Sequence, residues 1–97
     1  MNMKNVTAEL RIQSDCSGVQ FVLTELDVAL SFLDIAERTS NAQRQWRLYM
    51  RAKNAHTTIR RFIPRCTFSA AEASIVNRKL ERVRDRLQRR GILSAAA

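Results

Sequence analysis

Between Phe21 and Ala36 the chain is dense in apolar side chains: Phe21, Val22, Leu23, Leu26, Val28, Ala29, Leu30, Phe32, Leu33, Ile35 and Ala36. At about 100° per residue, the polar positions Gln20, Thr24, Asp27, Ser31, Asp34 and Arg38 gather on one narrow stripe. The rest of the circumference is an apolar arc wider than a surface helix carries, so this helix has to be covered on two sides. Ser17 with Gln20 has capping-box spacing and marks the expected start. Thr39-Ser40-Asn41 closes the pattern and supplies a cap for the next helix. The first helix is thus expected over about 17–38.

A second pattern, Leu48, Tyr49, Ala52, Ala55, Ile59, Phe62 and Ile63, steps by three and four and predicts a helix over 42–63. Ala52 and Ala55 are small enough for a neighbouring helix to come close. Pro64 ends the pattern, where Arg60, Arg61 and Arg65 complement the helix dipole. Trp46 and Met50 lie one turn apart and off the main stripe, as a second packing surface or an exposed patch. The third pattern is the thinnest: Ala73, Val76, Leu80, Val83 and Leu87 form a single seam able to cover one neighbour. Ser69 with Glu72 is a capping box and Gly91 a stop, giving a helix over 69–90. Ahead of all three, Val6–Ile12 alternates apolar and polar residues, with no second strand to pair with, and Ser14–Gly18 interrupts it. A frayed helix or an arm lying on a partner fits this stretch equally, and residues 1–16 are expected as a short irregular arm. Short connections between three helices favour an antiparallel up-down-up arrangement. The expected fold is all-α, one antiparallel three-helix bundle occupying the single domain 1–97.

Composition narrows the picture. Two Gly and one Pro are too few for an all-β fold of 97 residues. No run approaches the roughly 20 apolar residues that span a bilayer, and the first residues lack the apolar stretch of a secretory signal. The expected location is the cytoplasm. Cys16 and Cys66 are too few for a disulfide framework. Antiparallel helices would nevertheless bring them to the same end of the bundle.

Charge changes the picture more. The net charge is +8, yet residues 1–40 hold three basic and six acidic side chains, whereas residues 41–97 hold fourteen basic and three acidic. Arg78, Lys79, Arg82, Arg86, Arg89 and Arg90 share an arc beside the third apolar seam, with Glu81 and Asp85 at its margin. They are the candidate polyanion-binding residues, since basic helices attract polyanions by counterion release. The competing expectation is that this arc answers the acidic stripe of the first helix. No aromatic residues interleave the arginines as they do in single-strand binders.

Other chemistry is thin. His56 borders the second core stripe, has no Ser, Cys or carboxylate at a recognised catalytic spacing, and is expected to pack. Cys16, His56 and Cys66 supply at most three of the four ligands a structural zinc needs, so neither metal nor cofactor is expected. Asp27 and Asp34, two turns apart on one stripe, are expected as salt-bridge partners rather than paired catalytic acids.

The block ALSFLDIA, Ala29–Ala36, resembles helices of tetratricopeptide-type hairpins, where small and large apolar residues recur at four and three. The run from Glu25 to Arg65 resembles short bacterial helical proteins to which no activity is attached, so the resemblance implies no functional residues. The leading expectation is a non-enzymatic module that binds another protein or itself. Phe21, Val28, Phe32 and Ile35 are its candidate self-association residues, and a homodimer is the simplest outcome. The alternative is a nucleic-acid-binding protein using the Arg-rich faces of the second and third helices. Neither a membrane nor a small-molecule substrate is expected as partner.

Overall fold

The computed structural model describes residues 3–93, with side chains from Gly18 to Leu93, as three helices. These are α1 (Met3–Arg38), α2 (Ala42–Phe62) and α3 (Ala70–Arg89), with a short 3-10 turn at Ile63–Arg65 between the last two. All three pack on one another around a single core, with α1 contacting α2 most extensively.

The core follows from spacing. On α1 the buried positions are Val19, Val22, Leu26, Ala29, Leu33 and Ala36, stepping three and four so that they share one face. From α2 come Leu48, Tyr49, Ala52, Ala55 and Ile59, and from α3 come Val76, Val83 and Leu87. Leu23, Leu30, Phe32 and Leu80 lie half-buried against them. The thin seam on α3 serves both neighbours, not one, because it lies over the groove between α1 and α2.

The helix ends are chemically explicit. Asn41 caps α2 by accepting a hydrogen bond from the backbone N–H of Arg44 at 3.0 Å. Ser69 and Glu72 exchange both bonds of a capping box, at 3.1 and 2.9 Å. Gly91, at φ 71°, takes the left-handed conformation that closes α3. There the N–H groups of Gly91 and Ile92 donate to the carbonyls of Gln88 and Leu87.

The first helix departs from expectation. It begins at Met3 rather than Ser17, so residues 3–16 are helical and not an irregular arm. None of residues 3–17 is Gly or Pro, and Ser or Asp inside a helix costs only tenths of a kcal/mol. The capping-box spacing at Ser17 therefore marks a permissible start that the chain does not use. Alternation over Val6–Ile12 yields to helix for want of a pairing strand, and the side chains there lie outside the described residues. At 1.5 Å per residue the 36-residue α1 is about 54 Å long, against about 30 Å for α2 or α3, so it runs past the bundle. Gly18 marks the level at which it does so. A Cβ at Gly18 would lie 3.3 Å from the Cys66 Sγ, so glycine lets the α2–α3 connection approach α1 closely. The Cys16 side chain lies outside the described residues. Its backbone is two residues before Gly18, at the same end of the bundle as Cys66.

Candidate functional site

The acidic stripe of α1 meets α3. Lys79 Nζ lies 2.6 Å from Asp27 Oδ1, while the Arg86 guanidinium reaches Asp34 at 2.7 Å and Glu37 at 3.0 Å. Lys79 and Arg86 each immediately precede a seam residue, Leu80 and Leu87, so the packing that buries the seam also carries them across to α1. Asp27 and Asp34 are thus salt-bridge partners, as expected. Arg86, a member of the candidate polyanion-binding arc, is turned to α1 instead of solvent: its side chain is only 14% exposed. Burial pulls its pKa down, but the hydrogen bonds it donates to Asp34 and Glu37 and the charges of those carboxylates outweigh this, and the net shift is upward.

The basic arc is therefore divided. Arg78, Arg82 and Arg89 are exposed and have no ion-pair partner among the described residues. Arg90 lays its guanidinium 5.7 Å from the Tyr49 ring centroid. Basic surface also accumulates on α2, which carries Arg44, Arg47, Arg51, Lys53, Arg60 and Arg61 and no acidic residue.

An apolar line occupies the outer face of α1. Phe21 and Ile35 are 37% and 42% exposed, and the half-buried Val28 lies midway between them. The spacing is seven and seven, so the three share one side of the helix over about four turns. Phe32 lies at the margin toward α2, half in the core, with the Arg51 guanidinium 5.8 Å from its ring. Phe21 packs one edge on Phe62, ring centroids 4.8 Å apart. Of the four residues expected on this face, Phe21, Val28 and Ile35 are available to a partner, while Phe32 is largely committed to the fold. Trp46 is 58% exposed beside a cleft of about 250 Å³ lined by Tyr49, Arg90 and Ile92. The Tyr49 hydroxyl is buried without a hydrogen-bond partner among the described residues.

Between α2 and α3 lies a feature the sequence did not suggest. Two adjoining clefts, each of about 360 Å³, share His56, Arg60 and Arg84 in their walls. His56 packs as expected, at 5% exposure. Burial first, and then the positive charges of Arg60 and Arg84, hold its pKa below the usual histidine value and favour the neutral imidazole. The available signal was Arg60, one turn beyond His56 on α2. Arg84 comes from α3, and only the rotation of that helix about its axis aims it here.

Among the described residues no cluster of His, Cys, Asp and Glu could hold a metal ion, and no helix is long and apolar enough to cross a membrane. No family model, curated protein or solved structure matches the chain. The class that the geometry defines is an all-α three-helix bundle with a markedly basic second helix and with exposed apolar residues on α1 (Phe21, Ile35), α2 (Trp46) and α3 (Ile75).

Proposed function

We propose that this domain is a non-enzymatic interaction module that pairs with a second copy of itself through the outer face of α1. The observation that carries the reading is the line Phe21, Val28 and Ile35, which stays accessible after three helices have closed a complete core. A two-fold interface uses the same patch twice. An antiparallel pairing centred on Val28 sets each Phe21 opposite an Ile35, large against medium, at heptad spacing suited to helix-on-helix packing. Charge favours the same face. The acidic residues of the chain concentrate on α1, so two copies that are each +8 meet with least repulsion there.

Sedimentation velocity tests this. The wild-type chain is expected to show a dimer that strengthens with concentration, and with salt because salt screens the net charge. Ile35→Glu is expected to return it to monomer with its helical circular dichroism intact, since Ile35 is outside the core. A strictly monomeric profile at high micromolar concentration overturns the reading.

A second reading, polyanion binding, is favoured by one observation: α2 presents six basic residues with no acidic residue among them. Fluorescence anisotropy with labelled DNA and RNA across a salt series tests it. Micromolar binding that falls steeply with salt supports it, and no binding at low salt removes it.

A further inference from the structure

We propose that the groove between α2 and α3 is a binding site for the phosphate group of a small phosphorylated ligand, gripped by Arg60 and Arg84 from opposite walls with His56 at its floor. It does not draw on the outer face of α1 and stands independently of self-association.

Three observations converge. The first is shape: two adjoining clefts of about 360 Å³ meet at the same three residues, a volume on the scale of small-ligand sites. The second is charge. Arg60 and Arg61 come from α2 and Arg84 from α3, and planar guanidinium forks match tetrahedral oxyanions in a two-pronged way that a lysine ammonium does not. Two carboxylates stand nearby. Glu81 lines the inner cleft only, and Asp85 touches Arg84 at 3.5 Å, at the long limit of an ion pair. The outer cleft, lined by Arg60, Arg61 and Arg84, has no carboxylate in its wall. The third is His56, only 5% exposed, which lines both clefts where Arg60 and Arg84 meet. Leu93 adds an apolar wall to the outer cleft, on which the organic part of a phosphomonoester can rest. The groove is bounded by helices on both sides, which suits a compact ligand better than a polymer backbone.

The chemistry carries a pH dependence. Facing His56 are Arg60 and Arg61 on α2 and Arg84 and Glu81 on α3. Without ligand, burial and the arginines lower the imidazole pKa and favour its neutral form. A bound dianion reverses the local field and favours the imidazolium, so sulfate binding takes up a proton and tightens as pH falls. A phosphomonoester instead loses its second charge at a pKa of about 6, so its binding is tightest where imidazolium and dianion coexist.

His56 is the only histidine in the chain, so its ring protons give a single assignable NMR signal. That signal is followed while inorganic phosphate, phenyl phosphate or sodium chloride of matched ionic strength is added, at several pH values. The expected result is a saturable shift with both phosphate probes, and a rise of about one unit in the apparent pKa of His56. Sulfate, which does not titrate in this range, is expected to shift the pKa in the same direction. Arg60→Gln and Arg84→Gln are each expected to weaken phosphate binding about tenfold, with helical content unchanged. Arg60 is the decisive variant, because it has no ion-pair partner among the described residues and its loss leaves the fold alone. Saturation by inorganic phosphate alone supports the site and identifies free phosphate as its ligand, whereas saturation by both probes points to phosphomonoesters. A response to sodium chloride equal to that of phosphate is simple screening and overturns the proposal. So does a response to an oligonucleotide with none to either small probe, and so does wild-type affinity in Arg60→Gln.

Discussion

Replacing Leu33 by alanine is expected to cost about 2–5 kcal/mol. Leu33 is fully buried on α1, in the middle of the core that α2 and α3 close. Removing three carbons takes away their transfer free energy and leaves a cavity that two flanking helices cannot collapse without losing contacts elsewhere. A domain of this size has a total stability of roughly 5–10 kcal/mol, so the change removes a large part of it. Urea unfolding followed by circular dichroism measures the loss. The informative control is Ile35→Ala, two residues further along and on the outer face, where the expected cost is within about 1 kcal/mol in the monomer. Equal losses at the two positions would mean that α1 is rotated about its axis relative to the packing described above.

The second large effect is expected at Arg86. Its guanidinium holds Asp34 and Glu37 together across the α1–α3 contact and is itself mostly covered. Arg86→Glu removes charge-assisted hydrogen bonds and sets a third carboxylate beside two others. The carboxylates are half-exposed, which screens the repulsion, so a loss of about 1.5–3 kcal/mol is expected. Arg82→Glu, one turn earlier and exposed, is expected to change stability by no more than about 0.5 kcal/mol. The spacing along α3 gives no reason for the two to differ. If both substitutions are silent in urea unfolding, the Arg86 contacts contribute nothing and the α1–α3 seam is held by apolar packing alone.

That contrast shows where legibility ends. Repeats of three and four were enough to mark Ile59, Val83 and Leu87 as core, because burial periodicity is a property of one helix at a time, whereas the apolar arc of α1 was too wide to single out Leu26 and Leu33. Caps were equally local. Asn41, Ser69 with Glu72, and Gly91 act on backbone groups within four residues, so their sequence signal and their structural role coincide. Ser17 with Gln20 carried the same local signal and did not start a helix, since a capping motif permits a start without enforcing one. Nothing upstream of Ser17 is costly enough to stop propagation.

The sites were less legible, because each is a relation between helices. Arg78, Arg82 and Arg86 look alike along α3, but packing hands Arg86 to α1 and leaves the others in water. Phe32 and Ile35 look alike on the apolar arc of α1, but α2 takes Phe32 and leaves Ile35 exposed. The His56, Arg60 and Arg84 cluster is only half visible in the chain: His56 and Arg60 stand one turn apart, but Arg84 is 24 positions from Arg60.

By itself, then, the sequence determined the helices from Ala42 onward, the core face of each and the asymmetry of charge, all of which depend on intervals short enough for a single helix to read out. The tertiary structure decided which arginines are paired, which apolar residues stay uncovered and where a cleft opens. Those outcomes depend on the rotation of each helix about its own axis. Side-chain volume sets that rotation through the packing of all three helices at once, and no one helix encodes it alone.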